Sequence, residues 1–176
     1  MQRRNLVRGG AIGAAAIATT SIAAPAIAQS MPELKWRLTS SFPKSLDTIY
    51  GAGEVFARYI DEMTDHKFNV RIFASGEIVP GLQVLDAVQN GTVEMGHSAG
   101  TYYVGKDPTL AIDTALPFGT NARQQEAWIR WGGGRELLND LYKQYNVYNL
   151  PCGNTGAQMG GWFRKEIKTV ADLKGL

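Results

Sequence analysis

The chain has 176 residues, with 18 Lys+Arg against 16 Asp+Glu and a formal net charge of +2, but the basic excess sits in its first residues. Without residues 1–28 and their three arginines, 148 residues remain with 15 basic and 16 acidic groups, net −1. That balance gives no electrostatic reason to bind nucleic acid or an anionic membrane. The length suits one modest domain, and Cys152, the single cysteine, excludes an internal disulfide.

Residues 1–28 read as a secretory signal. Arg3, Arg4 and Arg8 form a basic start, an apolar run follows from Ala11 to Ala18, and Ala26-Ile27-Ala28 supplies small residues for cleavage. The apolar run is too short to span a bilayer, which takes ~20 residues. Arg3-Arg4-Asn5-Leu6-Val7-Arg8 also resembles a twin-arginine signal. The mature chain is expected to begin at Gln29 and to work outside the cytoplasm. There an unpaired thiol is safest buried, so Cys152 is assigned to the core.

Leu34, Trp36 and Leu38 alternate with polar residues, a strand pattern. After the loop Ser40-Ser41-Phe42-Pro43-Lys44, Ser45 or Asp47 caps a helix whose apolar face is Ile49, Ala52, Phe56, Tyr59, Ile60 and Met63. Residues 68–73 alternate as a second strand. A shorter helix carries Leu82, Leu85 and Val88 and ends at Gly91, and Val93 to Ser98 form a third strand. Residues 122–145 are helical, with a break at Gly132-Gly133-Gly134; no Lys-Ser or Lys-Thr pair follows, so the triplet is not a Walker loop. Residues 147–152 and 158–163 read as further strands. Thr169 with Asp172 makes a capping box just before Gly175.

Strand–helix–strand–helix–strand predicts an α/β lobe: a mainly parallel sheet flanked by helices. Its ligand crevice lies at the carboxyl ends of the strands, where Ser40-Ser41-Phe42 and the stretch Ala99 to Gly105 fall. The second stretch holds Tyr102-Tyr103, a pair that offers apolar faces and hydroxyl donors to a small polar ligand. As residues alone they read better as two half-buried loop aromatics.

Catalytic patterns are sparse. His66 and His97, the only histidines, have no metal-ligand spacing around them, and there is no G-x-S-x-G elbow. Asn90-Gly91-Thr92 matches a glycosylation pattern but overlaps a helix end. A secreted enzyme would need a catalytic pair among Asp47, His97 and Glu94. A binding protein is the better class.

The run Gly153-Asn154-Thr155-Gly156-Ala157-Gln158-Met159-Gly160-Gly161-Trp162-Phe163 precedes Thr169-Val170-Ala171-Asp172-Leu173-Lys174-Gly175-Leu176. Upstream stand Phe73 to Pro80, Leu85 to Gly96, and Leu116-Pro117-Phe118-Gly119. Together these resemble the extracytoplasmic solute receptors of TRAP transporters, the DctP-like proteins of the bacterial periplasm, and among them most resemble the branch that binds 2-oxo acids such as pyruvate.

The resemblance implies a two-lobed receptor that closes over a small carboxylate and delivers it, unchanged, to a membrane permease. Residues 29–152 would be its first lobe, and 153–176 the crossing strand and the start of the second. It implies ligand contacts from Tyr102, Tyr103, Phe42, Gln158 and Asn154, with Asn154 equally at home in a turn. A sodium ion bridging protein and ligand carboxylate would take Gln158 as one oxygen ligand. The family's carboxylate-binding arginine, the ion's carboxylate ligand and the helix used for homodimerisation would all lie beyond Leu176. The expected chain is therefore a truncated receptor, with a non-functional fragment of a receptor gene as the rival reading.

Overall fold

A computed structural model describes residues 32–114 and 116–176, and Pro32–Leu176 form one unit. The secretory signal at 1–28 lies outside the described residues.

Three parallel strands form the sheet: β1 (Leu34–Ser40), β2 (Phe68–Phe73) and β3 (Met95–His97), in the order β2-β1-β3. Leu34 to Thr39 pair with Phe68 to Phe73 in register, and Leu38 to Ser40 pair with Met95 to His97. The sequence expectation for the α/β lobe holds, with the third strand trimmed at both ends.

Helix α1 (Asp47–Met63) joins β1 to β2, and α2 (Val84–Gln89) joins β2 to β3. The crossover from β1 to β2 and the one from β2 past β1 to β3 run in opposite directions across the sheet, so right-handed connections place these helices on opposite faces. Two glycines allow the close approach. A Cβ on Gly53 of α1 would lie 2.5 Å from Ile72 Cδ1, and one on Gly96 would lie 2.8 Å from Val84 Cγ1 of α2. Alternation along β3 then turns His97 toward α1 and Gly96 toward α2.

The face that α1 buries differs from the periodicity reading. Tyr50 and Gly53 are buried, whereas Phe56, Tyr59 and Met63 are 37, 52 and 74% exposed. The helix carries apolar residues on two sides, and the side with the small Gly53 is the one that fits against the sheet. Its cap differs too: Leu46 occupies the N-cap position without a side-chain bond, and Asp47 Oδ1 accepts from Thr48 N at 2.8 Å.

After β3, 3-10 turns at Gly100–Tyr103 and Pro108–Asp113 lead to α3 (Ala122–Trp131) and α4 (Gly134–Lys143). Asn121 and Gln124 cap α3 reciprocally, each bond 3.0 Å long. The glycine break falls as expected: Gly132 closes α3 and Gly133, at φ +82°, takes the left-handed conformation that a side chain resists. Leu110, Tyr103, Tyr142 and Leu85 pack as a core beneath these turns.

Residues 147–152 and 158–163 are not strands. Extended backbone becomes a strand only beside a partner, and the described sheet ends at β2 and β3. Cys152 is exposed rather than core, because the segment that carries it runs over the surface. The Thr169–Asp172 capping box forms, opening a 3-10 turn at Val170–Leu173.

Candidate functional site

In a sheet ordered 2-1-3, the strand order reverses between β1 and β3, and a crevice opens at the carboxyl ends of these parallel strands. Hydroxyl groups bridge these ends. Ser40 Oγ lies 3.2 Å from His97 Nδ1, and Ser41 Oγ donates to the Gly81 carbonyl at 2.6 Å and pairs with Ser98 Oγ at 2.6 Å. Ser98 Oγ reaches the Tyr103 hydroxyl at 2.7 Å, and that hydroxyl accepts from Leu85 N at 3.2 Å. The network fastens the loops after all three strands to α2. Ser41 lies in the Ser40-Ser41-Phe42 stretch that the crevice rule places here, whereas Ser98, read from sequence as the end of the third strand, carries no site signal.

A groove of about 480 Å³ opens beside this network, lined by Ser41, Ser75, Pro80, Gly81, Gln83 and Tyr102. Tyr102 is 43% exposed and tilts against Phe42, with ring centroids 6.0 Å apart, while Phe42 packs edge-on against His97 at 5.1 Å. Tyr103 is buried and its hydroxyl already has two partners. The adjacent tyrosines thus divide their work: Tyr102 lines the groove, and Tyr103, which does not, ties its loop to Ser98 and α2. A larger trough of about 890 Å³ runs along α1 past Phe56, Tyr59 and Cys152. It is an open helix surface away from the hydroxyl network, and the smaller groove has the better chemistry for a ligand.

Gln158 and Asn154 do not line that groove. Both are exposed, and their bonds are local: Gln158 Nε2 donates to Thr155 Oγ1 at 2.7 Å and Asn154 Oδ1 accepts from Gly156 N at 3.1 Å, an Asx turn. Among the described residues no three His, Cys, Asp or Glu side chains cluster to hold a metal. Gln158 by itself offers a hard cation one amide oxygen, where such ions take several.

The enzyme candidates are engaged separately. Glu94 receives Arg37 through its backbone N–H at 2.7 Å and its guanidinium at 2.7 Å, which holds the Glu94 carboxyl down at a pKa of about 2. Burial pushes the His97 imidazole below its usual range, toward the neutral form. Asp47 sits in the first turn of α1. No nucleophile, base and carboxylate converge among them.

Residues 39–176 match the family described as bacterial extracellular solute-binding protein, family 7 (DctP). The chain belongs to the DctP family. Its relatives include a monocarboxylate 2-oxoacid-binding periplasmic protein of Nostoc sp. (strain PCC 7120), 51% identical over 179 residues, spanning 100% of this chain and 49% of that protein.

Two solved TRAP transporter solute-binding proteins share the DctP lobe seen here. One, from Bordetella bronchiseptica RB50, is 54% identical with a TM-score of 0.80 over 82% of this chain and 43% of its own; its mixed-occupancy dimer holds calcium and picolinate in one site. The other, from Pseudoalteromonas atlantica T6c with bound sodium and pyruvate, is 42% identical with a TM-score of 0.78, over 82 and 44% of the two chains. This DctP chain therefore spans about half the length of the relatives it matches. The family is one of solute-binding proteins.

Proposed function

We propose that this chain is the substrate-binding component of a TRAP-type transporter, which binds a small 2-oxo acid such as pyruvate in the periplasm and passes it unchanged to a membrane permease. The observation that carries the reading is the groove at the β1/β3 switch point, where Tyr102 presents a ring and a hydroxyl beside Phe42. Pyruvate and picolinate in the solved relatives are both small carboxylates, which supports the ligand class.

Residues 29–152 act as the first lobe, and 153–176 cross toward the second. Phe42 and Tyr102 meet the ligand from the first lobe, with Tyr103 behind them. Gln158 and Asn154 approach from the crossing run once the lobes close. A sodium ion shared with the ligand carboxylate takes the Gln158 side-chain oxygen as one of its ligands, the remainder coming from outside the described residues. The signal at 1–28 directs export, and homodimerisation belongs to a protein of the relatives' length.

The test is calorimetric titration of pyruvate into residues 29–176 joined to the second half of the Nostoc relative. Saturable binding that weakens when Tyr102 is changed to alanine is the expected result. Binding indifferent to Tyr102, or conversion of pyruvate followed by NMR, overturns the reading.

A further inference from the structure

Asp113 is the point where three separate segments of the chain meet. Its Oδ2 accepts from the Tyr142 hydroxyl of α4 at 2.5 Å and from Asn149 Nδ2 at 3.3 Å, and its Oδ1 accepts from Thr114 Oγ1 at 3.1 Å. The same carboxylate abuts the backbone of Gly100, so that a Cβ there would collide with Asp113 Oδ1 and the Leu110 carbonyl. Thr101 N donates to Thr114 Oγ1 at 3.2 Å, a second tie to the loop that carries Tyr102. Every side chain bonded to this carboxylate is a donor. An ionised carboxylate only accepts, whereas an amide would set its own N–H₂ against one of them.

Asn149 is also held from the other side, its N–H donating to Asn139 Oδ1 at 2.8 Å. Beyond it, among the described residues, the hydrogen bonds of 150–176 stay within that stretch. Asn149 is thus the last polar fastening before the chain runs out along 150–163. A half-buried carboxylate is a poor choice for stability alone, since apolar packing of the same volume does as well or better. Its advantage is geometric: it fixes three segments relative to one another.

We propose that Asp113 is a positioning residue that couples the ligand-facing loop Gly100–Tyr103 to the exit segment at Asn149, and so sets the pivot about which the crossing run moves. The ligand-binding part rests on the receptor reading above; the coupling does not.

Two measurements separate the claims. Hydrogen–deuterium exchange on the full chain compares wild type with Asp113→Asn and Asn149→Ala. The expected result is a rise of about tenfold or more in exchange at both 100–103 and 147–150 in each variant, the signature of one cooperative opening unit. Asn149→Ala removes the part-buried amide that bonds Asp113 but leaves the carboxylate and its other donors in place, and so keeps the test valid if Asp113→Asn fails to fold. Exchange that rises at 147–150 alone overturns the coupling.

In the completed receptor, Asn149→Ala weakens pyruvate binding about tenfold while leaving the ligand-free unfolding midpoint unchanged. Wild-type affinity in that variant overturns the positioning role. A completed wild type that binds no pyruvate overturns the receptor reading, and the exchange result then judges the coupling by itself.

Discussion

Ser40 and His97 face each other across the β1–β3 ladder, with Ser40 Oγ 3.2 Å from His97 Nδ1 and the Phe42 amide donating to the same hydroxyl at 3.1 Å. Both residues are buried. The pair joins the two strand ends that frame the groove, and it does so with a neutral imidazole. Desolvation holds the His97 pKa below the ordinary 6.5.

A depressed histidine favours the fold only while it stays neutral. Its contribution is present above pH ~6.5, the unfolded value, and is lost as pH falls toward the folded one, with a slope of at most about 1.4 kcal/mol per pH unit. His66 has the opposite sign. Asp61, 2.6 Å away, raises its pKa, so that contribution is present below 6.5 and fades as pH rises. His66 is exposed and solvent-screened, so the His97 effect dominates. Unfolding midpoints between pH 7.5 and 5 should fall in the wild type and fall less in His97→Gln.

Thr39 lies near the carboxyl end of the central strand, fully buried, and its Oγ1 has no hydrogen-bond partner among the described residues. Thr39→Val keeps the shape and the β-branched stem and removes the orphaned hydroxyl. Stability should rise by about 1 kcal/mol, read as a midpoint ~2–4 °C higher for a chain of this size.

The two tyrosines should respond differently to the same change. Tyr103→Phe strands the Leu85 amide and takes from the Ser98 hydroxyl one of its two partners, at a cost of about 1–3 kcal/mol. Tyr102→Phe should stay within ~0.5 kcal/mol of wild type. Denaturant midpoints measured side by side check both, and equal losses would contradict the division of work between them.

Exposed Cys152 should react with a thiol reagent in native buffer to one equivalent per chain, with no denaturant added. Labelling that waits for unfolding would return the residue to the core.

The sheet was legible in the sequence because period-two alternation at 34–38 and 68–73 and the glycine-bounded segment at 93–98 are local signals. The break at Gly132–Gly133 was legible for the same reason: consecutive glycines act wherever they stand. The buried face of α1 was not. Phe56, Tyr59 and Met63 outweigh Gly53 on any hydrophobicity scale, yet a sheet packed close to a helix selects the side with the smallest residue. The extra strands failed because alternation at 147–152 shows what could pair, not whether a partner is there. In the site, the crevice rule marks the stretches that carry Phe42 and Tyr102, but as residues alone the tyrosines read as loop aromatics, and it is the family resemblance that makes Phe42 and Tyr102 expected ligand contacts. The hydroxyl chain through Ser41 and Ser98 and the anchor at Asp113 depend on contacts between residues tens of positions apart, which no local pattern encodes.

The strand order also bears on when this lobe can form. β1 is the first strand made among the described residues, yet its carboxyl end, Leu38–Ser40, pairs with Met95–His97, 57 positions later. Parallel neighbours cannot be closed by a hairpin, so nothing resembling the native sheet is complete until the chain has been delivered past residue 97. Such non-local pairing folds slowly. Through that interval β1 is an open edge, and the compartment in which it waits determines whether it meets β3 or another molecule.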